Sequence, residues 1–246
     1  MKIDLNCDLG ESFGRYSLGD DASIMPLITS ANIACGFHAG DASVMQATVR
    51  LAKQHGVAIG AHPGWPDLQG FGRREMALSP DETEALVLYQ IGALAAFAKA
   101  EGCELSHVKP HGALYNQSAR DMALAEAVAR AVKRFSVDLA LVGLAGSRSI
   151  DAAQGMGLRV LEEGFPDRGY TSEGMLMPRG QAGAILSSVE EVAAHAVSLA
   201  LNGIKFGEKQ IRVDTLCLHG DNVHAVENAR KVRAALQNAG VEVTQN

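Results

Sequence analysis

The run Val108–Gly112 reads Val-Lys-Pro-His-Gly, and it sets a lysine and a histidine at the end of an apolar, strand-like segment. Other strand-like runs end in the same way, the first at Asp8 and the third at His62. Strands of a parallel barrel are buried on both faces, so a charged side chain there is costly unless it is paired or used. Barrel enzymes hold their active sites at the carboxyl ends of their strands. The pattern therefore favours a barrel with a polar site at one end.

Seven strand-like runs alternate with helical patterns along the 246 residues. The strands are predicted at Lys2–Leu9, Ala31–Phe37, Val57–Ala61, Ser106–His111, Leu139–Leu144, Leu158–Glu163 and Thr215–His219. Strict alternation of strand and helix predicts a parallel sheet with right-handed crossovers. An open sheet would gather its polar groups at one switch point, whereas here nearly every strand carries one. We therefore predict an α/β fold, a distorted TIM-like (β/α)7 barrel that spans residues 1–246 as a single domain.

Composition, net charge and the lengths of the apolar runs argue against several classes of function. Hydrophobic residues make up 47% of the chain and charged residues 20%, which is enough apolar material for a large core. The net charge of -6, with no Lys/Arg-rich run, argues against a nucleic-acid partner. No apolar run approaches the length of a membrane span, and no signal region follows Met1. We expect a cytoplasmic protein that acts on a small molecule, with reduced cysteines and no membrane partner.

Four histidines occupy equivalent positions at the ends of predicted strands: His38, His62, His111 and His219. A single strand-end histidine is most often structural, but four at one end of a barrel favour a shared site. By contrast, His55, His107 and His195 are expected to be structural. The first lies at a helix C-terminus, the second at the start of a strand and so away from its carboxyl end, and the third within a helix.

Two charged residues, Asp8 and Lys109, are the best candidates for the chemistry itself. A carboxylate crowded by apolar strands and histidines can have its pKa tuned towards neutrality, so Asp8 is the preferred general base. Lys109 could stabilise an oxyanion or a phosphoryl oxygen, or form a buried ion pair with Asp8 or Glu163. Asp8, His38 and His62 are also candidate ligands of a divalent metal, together with His111 and His219, since carboxylate and imidazole suit zinc or manganese. Their scatter along the chain leaves the metal open.

A further set of polar residues is expected to contact the substrate. Arg168 and Arg179 lie in a long loop after the sixth strand, where either could clamp a carboxylate, and Arg73 follows the third strand. Each arginine could instead serve a surface or subunit contact. The remaining candidates lie on the predicted strands or directly after them: Asn6, Asn32, Glu163 and Asp221. The chain has no G-x-x-x-x-G-K-[ST] nucleotide motif and no G-x-S-x-G nucleophile elbow.

Seven segments, spread over essentially the whole chain, resemble the LamB/YcsF family. They are Asp4–Glu11, Ser30–Asp41, Ile59–Pro63, Gly70–Arg74, Val108–Asn116, Asp167–Tyr170 and His219–Asp221. The resemblance implies a (β/α)-barrel similar to polysaccharide deacetylases. It also implies one component of a three-part enzyme that hydrolyses 5-oxo-L-proline to L-glutamate with consumption of ATP. The two partner subunits, of the B and C type, are then expected to bind the ATP.

On this interpretation the partners phosphorylate the lactam oxygen and this chain opens the ring. Asp8 or a neighbouring histidine would activate water, Lys109 and His111 would stabilise the oxyanion, and an arginine would hold the substrate carboxylate. Two alternatives stay open: a metal-dependent deacetylase or amidohydrolase that acts alone, and a non-catalytic subunit that binds a small ligand. The sequence also leaves open whether the chain forms a homo-oligomer.

Overall fold

Seven parallel strands close on themselves and form a barrel with polar side chains in its interior. The computed structural model describes residues 1–178, 180–186, 188–206, 208–220 and 224–246, without the side chains of Phe206 and Lys209. Within these ranges the strands are β1 (Lys2–Leu9), β2 (Ser30–Ala34), β3 (Ala58–His62), β4 (Leu105–Val108), β5 (Ala140–Leu144), β6 (Arg159–Gly164), β7 (Ile204–Phe206), β8 (Lys209–Ile211), β9 (Thr215–Leu218) and β10 (Glu242–Val243).

Strand order shows how the barrel closes. Strands β1 to β6 pair in sequence, β6 pairs with β9, and β9 returns to β1, with every pairing in the ring parallel. β10 adds to β1 outside the ring, and β7 and β8 form an antiparallel hairpin before β9. The register sets Asp8 opposite Asn32 and Asn6 opposite Cys217. The predicted (β/α)7 barrel is therefore confirmed.

Helices cover the outside of the barrel. They are α1 (Asp21–Ile24), α2 (Ala42–His55), α3 (Pro80–Ala100), α4 (Gly112–Ser118), α5 (Met122–Phe135), α6 (Arg148–Gly155), α7 (Val189–Asn202) and α8 (Ala225–Asn238), with a short 3-10 helix at Met25–Leu27. Local sequence explains their ends. Ser79 and Glu82 form a capping box at the start of α3, with Pro80 in its first turn. No helix in the described part of the chain is long and apolar enough to cross a membrane.

Alternation along the strands separates an apolar outer layer from the polar interior. On β1, Ile3 and Leu5 belong to the apolar core, whereas Asp4 and Asn6 contact interior side chains of other strands. The fourth strand is shorter than predicted and ends at Val108, because Pro110 has no N–H to donate to a ladder. The chain nevertheless continues beside β3, since the Lys109 amide donates to the carbonyl of Ala61 at 2.9 Å.

Candidate functional site

A cavity of about 650 Å³ opens at the carboxyl ends of the barrel strands. Five of the six predicted catalytic residues line it: Asp8, His62, Lys109, His111 and His219. The sixth, His38, is fully buried beside them, and its ring stacks on that of His111 with centroids 3.8 Å apart. The structure thus brings the strand-end residues together at one place.

Four residues beside this cavity could hold a metal ion. They are Glu11, His38, His62 and His111, whose potential ligand atoms all lie within 4.8 Å of one another. All three histidines were among the predicted ligands, while Glu11 was not. Asp8 lies next to the group, with its Oδ2 at 3.3 Å from His62 Nε2, but it is not a member of it.

Hydrogen bonds to backbone carbonyls determine which ring nitrogens of two histidines carry protons. His62 Nδ1 lies 2.7 Å from the Lys109 carbonyl, and His111 Nε2 lies 2.8 Å from the Phe71 carbonyl. A carbonyl oxygen only accepts, so both nitrogens donate. In the neutral rings the lone pairs therefore lie on His62 Nε2 and His111 Nδ1, which are only 2.9 Å apart. Two lone pairs at this distance require either a proton or a cation between them, and carbonyl-oriented histidines are typical of metal ligands.

The surroundings of His38 favour a metal cation, and not a proton, between His62 and His111. Both of its ring nitrogens are buried and make no hydrogen bond within the described ranges. Burial lowers the pKa of His38 well below its usual value, and the nearby His111 and His62 lower it further. Burial likewise lowers the pKa of His111, with His62 adding to the effect. A neutral buried imidazole without hydrogen bonds is costly unless something else satisfies it, so the donor set fits a divalent metal.

Two glycines make room for the stacked histidines. A Cβ at Gly64 would lie 2.6 Å from His38 Nδ1, and one at Gly72 would lie 2.7 Å from His38 Cβ and 2.9 Å from His111 Cδ2. Gly72 also has a positive φ of 62°. The loop after β3 can therefore approach the histidines only because it carries glycine at these positions.

Lys109 forms the centre of a buried ionic network at the floor of the cavity. Its Nζ lies 2.9 Å from Asp8 Oδ1, 2.9 Å from Glu163 Oε1 and 2.9 Å from Cys217 Sγ. Burial alone would lower the pKa of Lys109, but Asp8, Cys217 and Glu163 outweigh it and raise this pKa well above its usual value. Burial alone would raise the pKa of Asp8, but His62 and Lys109 hold it well below its usual value. Both groups are therefore ionised at neutral pH, and the prediction that the pKa of Asp8 is tuned towards neutrality is wrong because two cationic or polar neighbours, His62 and Lys109, oppose the effect of burial.

Three residues predicted to contact substrate support this network instead of lining the cavity: Asn6, Asn32 and Glu163. Asn6 Nδ2 donates to Glu163 Oε1 at 3.0 Å, and Asn32 Nδ2 donates to Asp8 Oδ1 at 2.8 Å. They lie in the barrel interior because their strands turn alternate side chains inwards. Their observed contacts orient the charged groups.

Loops after β6 and β9 supply the opposite wall of the cavity. His219 Nδ1 donates to Asp167 Oδ2 at 2.6 Å, and the Phe165 ring stacks against His219 at 5.7 Å. Arg168 is buried and donates to the carbonyls of Ala184, at 3.0 Å, and Met177, so it ties its own loop together.

The remaining predicted arginines and acid have different positions. Arg73 is exposed at the cavity rim, with its guanidinium 4.9 Å from the centre of the Phe71 ring. Arg179 and Asp221 lie outside the described residues. The residues that the sequence-based prediction missed are Glu11 and Asp167. Glu11 follows Asp8 by three residues and Asp167 directly precedes Arg168, so a carboxylate in the first residues after a strand end is the signal that could have indicated them.

Comparisons with known proteins show the family and the fold of the chain. The sequence profile of the LamB/YcsF family matches residues 3–246. A protein of Thermus thermophilus that is named as a 5-oxoprolinase subunit is 56% identical over 247 residues, covering 99% of each chain. The crystal structure of a lactam utilization protein from Thermus thermophilus superposes with a TM-score of 0.92 at 53% identity, covering 99% of each chain. A family 4 carbohydrate esterase from Streptomyces lividans has a TM-score of 0.51 at 10% identity, covering 99% of this chain and 92% of that one, which shows a shared fold alone.

Proposed function

Because the chain belongs to the LamB/YcsF family, we propose that it is the hydrolytic subunit of an ATP-dependent 5-oxoprolinase. Its reaction would open the lactam ring of 5-oxo-L-proline to give L-glutamate. The relatives named as 5-oxoprolinase subunits support the substrate, because they share more than half of the sequence over the full length. The word subunit in their name supports the presence of partner chains.

One observation carries the hydrolytic part of the proposal. The lone-pair nitrogens of His62 and His111 face each other at 2.9 Å, and Glu11 Oε1 lies 3.5 Å from His111 Nδ1 and 3.5 Å from His38 Nε2. We assign these four residues to a divalent metal, zinc or manganese by the chemistry of the donors. When bound, the metal would supply a Lewis acid that polarises a carbonyl and lowers the pKa of water.

We assign Asp8 the role of taking a proton from the attacking water. Its Oδ1 is held by Asn32 and Lys109, at 2.8 and 2.9 Å, and the carboxylate lines the cavity. Its lowered pKa keeps it ionised at neutral pH and able to accept a proton, but it makes Asp8 a weaker base than one whose pKa is near 7. Lys109 lines the same cavity, so its fixed positive charge would stabilise the phosphoryl oxygens of the activated lactam while water attacks the ring carbon.

Opening a lactam breaks a C–N bond, and the departing nitrogen must gain a proton to leave as an amine. His219 lines the cavity, and its Nδ1–H donates to the Asp167 carboxylate at 2.6 Å. This leaves His219 Nε2 to deliver the proton, while Asp167 stabilises the charged imidazole. Arg73 and Arg168 both line the cavity, and for the substrate carboxylate we assign Arg73 because the Arg168 guanidinium already donates to two loop carbonyls.

The proposed requirement for ATP follows from the chemistry of the substrate. A five-membered lactam is unstrained and its amide carbon is a poor electrophile, so the ring needs activation before water attacks it. We assign this activation, phosphorylation of the lactam oxygen, to two partner subunits of the B and C type that bind the ATP. Attack of water and cleavage of the C–N bond then leave an acyl phosphate, and a second water hydrolyses it to glutamate and inorganic phosphate. The absence of a nucleotide motif in this sequence agrees with that division of labour. The whole complex is proposed to work in the cytoplasm.

The test is glutamate formation from 5-oxoproline by the purified chain, with and without ATP and the two partner subunits. We expect turnover only in the full mixture. His62→Ala should abolish it, whereas His55→Ala, an exposed histidine at the end of α2, should not. Turnover without ATP would support a deacetylase or amidohydrolase that acts alone. Ligand binding without turnover in any mixture would support a binding subunit, and either result would contradict the proposal.

Metal analysis tests the ligand assignment separately. The purified wild-type chain and His55→Ala should bind one equivalent of zinc or manganese in equilibrium dialysis, and His38→Ala should bind it at least about 10-fold more weakly. Equal affinity in all three proteins would remove the metal from the proposal. Weak binding by the wild type itself would have the same consequence.

A further inference from the structure

His107 lies on β4 inside the barrel, where a local irregularity directs its side chain. In the pairing of β3 with β4, Ile59 stands opposite Leu105 but Gly60 stands opposite His107, so Ser106 is an extra residue. Such a bulge re-aims the side chains that follow it. Both His107 and Lys109 consequently reach the polar interior, and His107 is only 3% exposed.

Gly60 provides the space for the His107 ring. A Cβ at residue 60 would lie 2.0 Å from His107 Nε2 and 2.3 Å from Cδ2, far inside contact distance. Any residue other than glycine would therefore displace the ring. The imidazole packs directly on the backbone of β3, which leaves it little freedom to rotate.

Two hydrogen bonds determine the protonation of His107. Its Nε2 lies 2.8 Å from Asn32 Oδ1, and its Nδ1 lies 2.7 Å from Ser106 Oγ. Since an amide oxygen only accepts, Nε2 carries the proton and Nδ1 accepts from the serine hydroxyl. Burial and the nearby Lys109 lower the pKa of His107 to about 3, so the ring is neutral and holds a single N–H.

The Asp8 carboxylate, which only accepts, fixes the Asn32 amide from one side, and the His107 N–H holds the same orientation from the other. With Oδ1 bound to His107, Asn32 Nδ2 donates to Asp8 Oδ1 at 2.8 Å and to Asn6 Oδ1 at 2.7 Å. A flipped amide would set its oxygen against both of these acceptors. Asn32 has no exposed surface, so water cannot compensate for that arrangement.

We infer that His107 is a positioning residue for the proposed reaction, acting through Asn32 on the Asp8 carboxylate. The Asn32 amide that His107 helps to orient holds Asp8 Oδ1 by a hydrogen bond. Asp8 Oδ2 consequently faces His62 Nε2, 3.3 Å away. The inference rests on the proposed function, because it assigns His107 a part in the step that Asp8 performs. His107 itself does not touch the substrate.

The test compares His107→Leu with His107→Gln in the full enzyme mixture. Leucine removes the donor, whereas the glutamine amide can supply an N–H close to the position of Nε2. We expect kcat to fall about 10- to 100-fold in His107→Leu with KM nearly unchanged, and most of kcat to return in His107→Gln. A purely structural role would lower the amount of folded enzyme and would not be rescued by glutamine.

A double-mutant cycle tests whether the effect passes through Asn32. If it does, His107→Leu combined with Asn32→Leu should be no slower than Asn32→Leu alone. Independent, multiplying losses would overturn the inference, as would an unchanged kcat in His107→Leu. Where His107→Leu fails to fold, Ser106→Ala keeps the ring and removes only its partner hydroxyl. It should still lower kcat, and wild-type kcat in this variant would then overturn the inference.

Crystal structures of His107→Gln and Ser106→Ala, and of His107→Leu where it folds, separate this inference from the proposed function. Lack of turnover by the wild type would refute the function and leave the geometry to be judged by these structures. The 2.8 Å contact between Asn32 Nδ2 and Asp8 Oδ1 should persist in the glutamine variant and be lost or lengthened in the other two. An unmoved Asp8 carboxylate in every variant would overturn the positioning role.

Discussion

Replacing Lys109 with methionine tests whether the barrel interior depends on a single buried cation. Lys109 is 2% exposed, and its Nζ lies 2.9 Å from oxygens of both Asp8 and Glu163. Removing one partner of a buried ion pair costs about 3–5 kcal/mol, because the remaining charge has neither water nor a counter-ion. At about 2–4 °C per kcal/mol for a chain of this size, the melting temperature should fall by roughly 6–20 °C.

Thermal unfolding at pH 7, followed by circular dichroism, measures this loss against a matched control. Lys99→Met makes the same chemical change on an exposed position of α3, and it should alter stability by no more than about 0.5 kcal/mol. Adding Glu163→Gln to Lys109→Met should recover part of the loss, because it removes one of the two uncompensated carboxylates. A Lys109→Met protein that melts together with the wild type would show that the buried cation is dispensable for stability. A double variant less stable than Lys109→Met would contradict the same electrostatic account.

Three further changes probe the barrel interior and the cavity. Gly60→Ala should cost about 1–3 kcal/mol in urea unfolding, because its Cβ would lie 2.0 Å from the His107 ring; an unchanged midpoint would contradict this packing. The unfolding free energy should fall as pH drops from 6.5 towards 3, because the pKa of His107 is lowered to about 3 and only the unfolded chain binds that proton. At pH 4 this amounts to roughly 3 kcal/mol, so His107→Gln should show a shallower pH dependence than the wild type, and parallel curves would count against it. Asp167→Asn should lower kcat about 100-fold by removing the charge that stabilises protonated His219, whereas exposed Asp138→Asn should not; equal rates would argue against the relay.

Much of the barrel could be predicted because each strand is encoded by a short, local pattern of apolar residues. The first strand, Lys2–Leu9, has the predicted bounds, and the others lie within a few residues of theirs. The largest differences concern strand ends. The second strand stops at Ala34 and not at Phe37, and the fourth stops at Val108 and not at His111. At these ends a glycine or a proline interrupts the hydrogen bonding of the sheet, although the chain continues beside the neighbouring strand. A pattern of apolar residues does not show where such an interruption occurs.

That the strand-end residues meet in one site could also be predicted, but which of them contact each other could not. Parallel strands end on one side of a barrel, so side chains at successive strand ends such as Asp8, His62 and Lys109 had to meet. Glu11 escaped the prediction because it lies beyond its strand, in a loop whose direction no periodicity describes. Asn32 was assigned to the substrate because the sequence shows that it faces inwards but not how deep it lies.

The barrel, and the end of it that carries the chemistry, follow from the sequence alone, because alternation of strand and helix and the position of polar residues are local properties. The chemical state of those residues depends on the folded arrangement. His62 and His111 take their tautomers from carbonyls 47 and 40 residues away along the chain, and Lys109 takes its charge balance from three different strands. Protonation depends on distance and burial in space, and these exist only once the chain has closed into the barrel.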